Sequence, residues 1–327
     1  MIFLFIFVVI LISMTIKTGQ YIQYKSFSFS NISLKIIRSF NNTEDERTSL
    51  DDYSIWCLNM ANRLDSELSF PKSPILQSPS VNTTRLERLP YRYSLWKSSP
   101  RLSRLISPCE HNLAMRLLMI IERICRKHKI QFMLSDGSLL GSWRHHDITP
   151  WDDDLDVMIP IGDKDRFIKL VSDMNETLIQ YYTLTNKKKQ REYYKLFFKN
   201  TPSAGGYSWN FPFVDIYLYE QNETHLWEMK DPSTLMESKY VFPLIMRPFG
   251  DLWLPAPRRP DKIFSFDPYD DCHGHYWDHR NETGKDEITV KCADLKDIYS
   301  FVERTNQSDS NEILKINGTI IHTIIYD

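Results

Sequence analysis

Apolar positions change their spacing several times along the chain, and each change marks an element. Met1 to Ile16 carries no charge and is almost wholly apolar. That run is long for a signal-peptide core and short for an average membrane span, and no small-residue cleavage site follows it. We read residues 1–16 as a signal anchor, with a cleaved signal peptide as the alternative. Residues 17–104 lose periodicity around Pro71, Pro74, Pro79, Pro90 and Pro100 and are rich in Ser, Asn and charge, which suits a stem. Tyr91, Tyr93, Leu95 and Trp96 are too apolar for pure linker, so part of the stem should pack on the body.

The body starts with a strong helix signal. Ser107-Pro108-Cys109-Glu110 offers an N-cap, a proline at the first helical position and a glutamate three residues after the cap. Leu113, Leu117, Ile120, Ile121 and Ile124 follow at helical spacing, and Arg126, Lys127 and Lys129 close the helix. Strands are expected at Lys129–Leu134, Leu155–Ile159, Tyr193–Lys199 and Phe213–Tyr219. Helices are expected at Ser138–Arg144 and Asp163–Met174. The pattern predicts an α/β (α+β) domain over residues 105–262, one small mixed sheet flanked by helices. Residues 263–327 read as a polar, His-rich C-terminal extension that ends in a strand-like run, Thr319–Tyr326.

Composition narrows the setting. The 327 residues are 42% apolar and 13% aromatic, enough for a substantial core, and a net charge of −2 excludes the strong positive field of a nucleic-acid binder. Asn-x-Ser/Thr sequons stand at Asn31, Asn41, Asn82, Asn175, Asn222, Asn281, Asn306 and Asn317. Their spread predicts a glycosylated, lumenal body: a single-pass type II protein of the Golgi or ER membrane, or a secreted one if the apolar segment is cleaved. The five cysteines are odd in number, so one is left over from any internal pairing.

The chemistry concentrates in residues 131–159. Asp152, Asp153, Asp154 and Asp156 lead into Val157-Met158-Ile159. On a strand, Asp154 and Asp156 would share a face about 6.6 Å apart. Two carboxylates held so repel each other unless a cation lies between them, and oxygen donors suit Mg²⁺, Mn²⁺ or Ca²⁺. An acidic surface loop is the bland alternative. A calcium-binding loop is excluded, because its obligatory glycine position is Val157 and its closing glutamate is Asp163. Upstream, Gly137-Ser138 falls between a strand and a helix, where free N–H groups favour an anion, although Asp-Gly-Ser is also an ordinary turn. Downstream, Asp215 lies among Phe213, Val214, Ile216 and Tyr217 and needs a partner if buried. Cys272, His273, His275 and His279 could hold zinc, against a polar loop with a disulfide at Cys272; their spacing fits no standard zinc module. Lys187-Lys188-Lys189-Gln190-Arg191 reads as a solvated basic loop or an anion contact.

Together, a Gly-Ser turn, a short helix, paired aspartates and a third aspartate on a later strand resemble the nucleotidyltransferase superfamily. Within it, Asp136 to Arg144, Pro150-Trp151-Asp152-Asp153-Asp154-Leu155-Asp156 and Phe213-Val214-Asp215 closely resemble the LicD family, which includes bacterial phosphocholine transferases, fukutin and fukutin-related protein. Arg247-Pro248-Phe249-Gly250 through Leu254-Pro255-Ala256-Pro257 resembles a later block of that family. The usual Tyr-Gly element is not evident. The resemblance implies transfer of a phospho-alcohol, ribitol phosphate- or phosphocholine-like, from a CDP-linked donor to a glycan hydroxyl of a glycoprotein or glycolipid. In that reading Asp154, Asp156 and Asp215 bind Mg²⁺ or Mn²⁺ and serve catalysis. Gly137, Ser138 and Arg144 would hold the donor phosphates. The alternatives are a catalytically inactive glycan-binding or scaffolding member, and a metal-dependent phosphodiesterase.

Overall fold

The computed structural model describes residues 97–174, 179–186, 191–274, 276–304 and 311–326, with short pieces at 28–29, 32–33, 56 and 59–60. The chain divides into two compact units, Met1–Thr48 and Ser49–Asp327. In the first, Ser28–Phe29 pairs antiparallel with Ile32–Ser33. The expected anchor at 1–16 lies outside the described residues. Among those residues, no helix is long and apolar enough to cross a membrane.

In the second unit, helix α1 spans Pro108–His128 and starts as its sequence dictates. The Ser107 side chain accepts the Glu110 N–H, and the Glu110 carboxylate accepts the Ser107 N–H at 2.7 Å. Lys129 ends the helix in the left-handed region (φ 54°) instead of beginning a strand. The next strand, β1, is therefore only Met133–Leu134, shorter than expected. Helix α2 (Asp136–His145), strand β2 (Asp156–Pro160) and helix α3 (Lys164–Ser172) follow. Strands β3 (Ile179–Asn186), β4 (Arg191–Phe198) and β5 (Phe213–Gln221) complete the part of the sheet that matters for the site. The basic run at 187–190 lies outside the described residues.

The strands join in the order β1-β2-β5-β4-β3, with His225–Glu228 (β6) and Leu235–Glu237 (β7) added beyond β5. Among the described residues of this sheet, only β2 and β5 pair in parallel; the other neighbours are antiparallel. The result is a mixed α/β fold with one mixed sheet and few helices. Strand alternation sorts its side chains. Val157, Ile159, Val214, Ile216 and Leu196 enter the main core with Leu113, Leu117 and Ile121 of α1 and Phe167 of α3. Met158, Tyr217 and Tyr219 enter a smaller core with Met133, Leu226 and Val241. Asp156 and Asp215 share the second parity, so they lie on that second face, at the strand ends.

Residues 263–327 are not an appendage. They belong to the same compact unit and carry three antiparallel strands: β14 (Phe301–Arg304) and β15 (Asn311–Ile316), which the polar pattern hid, and β16 (Thr319–Ile325), the strand-like run expected at the end. Between these and β7 come β8 (Ile245–Phe249), paired with β9 (Leu252–Ala256); β10 (Asp271–His273), paired with β13 (Thr289–Lys291); and β11 (Trp277–Asp278), paired with β12 (Thr283–Gly284). Tyr299 ties this region to the end of the stem, since its hydroxyl donates to Leu102 O and accepts the Ser99 N–H at 2.8 Å.

Candidate active site

Asp156 opens β2, and the parallel register sets it directly opposite Asp215 on β5. Asp154 was expected on the same strand; it lies just before it, in the extended stretch that leads in. The three carboxylates still converge. One oxygen from each of Asp154, Asp156 and Asp215 lies within 4.8 Å of the others, and all three residues are buried. Hard oxygen donors at this separation fit Mg²⁺ or Mn²⁺.

The register continues outward. Lys195 of β4 pairs with Asp215, and its ammonium donates to both carboxylate oxygens, at 2.9 and 3.1 Å. Tyr217 adds a hydroxyl donor at 3.2 Å, and Lys230 donates to that hydroxyl at 2.8 Å. Lys195 also sits 3.6 Å above the Phe213 ring, where a cation is favoured. Lys195 shows in sequence the same signal as Asp215, a lone charge in a large apolar strand, Tyr193-Tyr194-Lys195-Leu196-Phe197-Phe198.

Gly137 and Ser138 occupy the expected strand-to-helix junction but hold carboxylates. The Gly137 N–H donates to Asp156 Oδ2 at 3.1 Å, and Ser138 Oγ accepts the Asp156 N–H at 2.8 Å. A Cβ on Gly137 would come within 2.7 Å of Asp152 Oδ2, so the close acid by itself favours glycine here. Arg144 is held by the protein itself. It is buried against Trp151, donates to Pro268 O at 3.2 Å and to His145 Nε2 at 2.9 Å, and burial lowers it to about 10. It builds the wall behind the site. Trp151 is likewise structural, with its indole N–H on His273 O at 2.9 Å.

The family-like block at Arg247 supports α2. Ser142 Oγ donates to Pro248 O at 2.8 Å, and the Arg247 guanidinium lies 4.8 Å from the Trp143 ring centre. The zinc reading fails for a covalent reason: Cys272 is bonded to Cys292. Cys109 is also in a disulfide, and Cys125 is the free, buried thiol among the described residues. His279 faces the acids instead. Its Nδ1 lies 2.8 Å from Asp153 Oδ1 and its Nε2 3.2 Å from Asp154 Oδ2.

The electrostatics show an unmet demand for positive charge. Burial, then Asp154 and Asp153, push the Asp152 carboxyl well above the usual range. Burial, then Asp154, Asp136 and Asp215, do the same to Asp156. Burial raises Asp215 too, against the pull of Lys195. Burial would lower His279, but Asp154, Asp153 and Asp152 outweigh it and raise it to about 9. Asp136, Asp152, Asp153, Asp154, Asp156 and Asp215 thus face Lys195, Lys230 and His279, an excess of acid that a divalent cation would balance.

Comparison with known proteins matches residues 129–259 to the LicD/FKTN/FKRP nucleotidyltransferase domain. Residues 129–259 form a LicD-family domain. This domain carries α2, β2, β4 and β5, and with them every aspartate of the cluster. Within the chain, 56 residues are 34% identical to the lipopolysaccharide cholinephosphotransferase LicD of Haemophilus influenzae, covering 17% of this chain and 21% of that protein. The chain therefore matches about a fifth of the length of this curated relative. His279 lies outside the LicD-family segment, although its side chain reaches into the cluster.

Proposed function

We propose that this protein transfers a phospho-alcohol from a CDP-linked donor to a hydroxyl of a glycan. The observation that carries the reading is the convergence of Asp154, Asp156 and Asp215 within 4.8 Å in a LicD-family domain. The cholinephosphotransferase name of the Haemophilus relative supports phospho-alcohol transfer as the reaction type. The three carboxylates would hold Mg²⁺ or Mn²⁺, which when bound supplies charge neutralisation for the donor diphosphate. The protein's own contribution is placement: Gly137 and Ser138 fix Asp156, and Lys195 and Tyr217 fix Asp215. Asp215 is the group assigned to take the proton of the attacking hydroxyl. Membrane anchoring through residues 1–16 and a lumenal body remain part of the proposal. The sequon residues Asn222, Asn281 and Asn317 are exposed, as glycosylation requires. Asn31, Asn41, Asn82, Asn175 and Asn306 lie outside the described residues.

The test is CMP release from CDP-ribitol, CDP-choline and CDP-glycerol by purified protein with Mn²⁺, with and without glycan acceptors. Release that needs an acceptor and is lost in Asp154→Asn supports transfer. Folded protein that releases no CMP with any donor and acceptor counts against it. Release independent of acceptor indicates a phosphodiesterase. A second reading, a glycan-binding member without turnover, draws on Lys195: its ammonium already bridges both oxygens of Asp215, where a cation is wanted. That reading predicts glycan binding and no CMP release.

A further inference from the structure

We propose that His279, which lies beyond the LicD-family segment, is a positioning residue for the metal-binding carboxylates. The inference rests on the metal-binding reading above. Each of the three acids has its own orienting donor. Asp156 has the Gly137 N–H, and Asp215 has Lys195 and Tyr217. Asp154 lies outside the strand, so the sheet ladder does not fix it. His279 meets that need from across the fold. Its main-chain N–H donates to Asp153 Oδ2 at 3.0 Å, its Nδ1 lies 2.8 Å from Asp153 Oδ1, and its Nε2 lies 3.2 Å from Asp154 Oδ2. The main-chain and Nδ1 contacts seat His279 on Asp153; the Nε2 contact then fixes the rotation of the Asp154 carboxylate. Phe213, next but one to Asp215, meets the ring edge-on at 5.9 Å.

The rest of the hairpin explains why the imidazole is held so firmly. Arg280 donates to Glu110 Oε2 at 2.8 Å and to Leu105 O at 3.0 Å, which docks the turn on the start of α1. Glu282 accepts the indole N–H groups of Trp209 and Trp277 at 2.6 and 3.0 Å, and lies 4.0 Å from Lys195. The Gly205 N–H donates to Arg280 O at 2.9 Å. The segment from Trp277 to Gly284 is thus clamped on both sides of His279. Orienting groups behind metal ligands typically matter by about 10–100-fold in metal affinity.

The test uses Mn²⁺ alone as probe, titrated into the purified full chain and read by electron paramagnetic resonance. The wild type should bind, and His279→Gln and His279→Asn should weaken binding by about 10–100-fold. Arg280→Gln loosens the hairpin by removing its contact to Glu110 without touching the aspartate cluster, so it should lower the metal-free melting midpoint while holding Mn²⁺ affinity within about threefold. A folded His279→Gln protein with unchanged Mn²⁺ affinity overturns the proposal. Equal loss in Arg280→Gln and His279→Gln also overturns it, because hairpin docking would then account for the effect. Absence of Mn²⁺ binding in the folded wild type sinks the metal reading itself, and this proposal with it.

Discussion

Two buried charge networks, one on either side of α2, are built on opposite principles. The aspartate cluster at its N-terminal end has more acid than base. The network beyond its C-terminal end centres on one carboxylate, Glu312 of β15, which is fully buried. Glu312 accepts from Arg247 at 2.9 and 3.0 Å, Arg304 at 3.1 Å, His146 at 2.8 Å and Tyr326 at 3.1 Å. Burial alone would raise it, yet Arg247, His146 and Arg304 bring it far below the usual carboxylate range. In the cluster, burial and neighbouring acids push Asp152 and Asp156 the other way. A buried network whose charges close on themselves is a fastener. One left short of positive charge stores affinity for a cation.

The sharpest way to break this contrast is Glu312→Gln. It leaves Arg247, only 1% exposed, without its counter-charge. Loss of one partner of a buried ion pair costs about 3–5 kcal/mol. Urea unfolding should show a loss of that order. Mn²⁺ should make the opposite mark on the other network. At a hundredfold excess over its dissociation constant, a ligand of the folded state adds about 2.7 kcal/mol. The melting midpoint of the wild type should rise with Mn²⁺, and that of Asp156→Asn should not. A smaller effect with the reverse sign from most buried substitutions is expected at Asp152. Asp152→Asn removes one of the crowded charges, and each unit of upward pKa displacement so relieved corresponds to about 1.4 kcal/mol. Metal-free Asp152→Asn should therefore melt above the wild type; a midpoint lowered by that substitution would contradict the crowding.

The two networks were not equally legible in the sequence. The Gly-Ser turn, the aspartate run and Asp215 could be read because each is a local anomaly: a charge beside an apolar run. The α1 cap was legible for the same reason, since Ser107 and Glu110 act across three residues. What the residues alone did not reveal is register. That Lys195 stands opposite Asp215, and Asp215 opposite Asp156, follows from pairing strands distant along the chain. His279 reaches Asp153 across 126 positions. Glu312 left one clue, the alternation Glu312-x-Leu314-x-Ile316. All three are buried, so the glutamate sits in a core register, but the surrounding polarity masked it.

Acid separates the two networks by sign, and it is the smallest of the expected effects. At the aspartates, the folded-state pKa values of Asp152 and Asp156 lie above their unfolded values, near 3.9. Between those limits the folded state binds more protons, so mild acid strengthens the metal-free fold and rising pH weakens it. Beyond the C-terminal end of α2 the sign reverses. Burial lowers His145, and it lowers His146 against the opposing pull of Glu312. Burial and His146 take His322 down to about 3; its ring stacks on His146 and its Nδ1 has no hydrogen-bond partner among the described residues. Below the unfolded value of about 6.5 the unfolded chain binds the extra protons, so stability falls with pH. By pH 5.5 His322 removes about 1 kcal/mol, after discounting its partial exposure. His322→Gln should therefore flatten the acid limb of a melting-midpoint profile taken from pH 7.5 to 5.5. Asp152→Asn should steepen it, because it deletes the group that gains from acid. If both variants tilt the profile in the same direction, the two networks do not respond to acid with opposite signs, and the distinction between fastener and cation site fails.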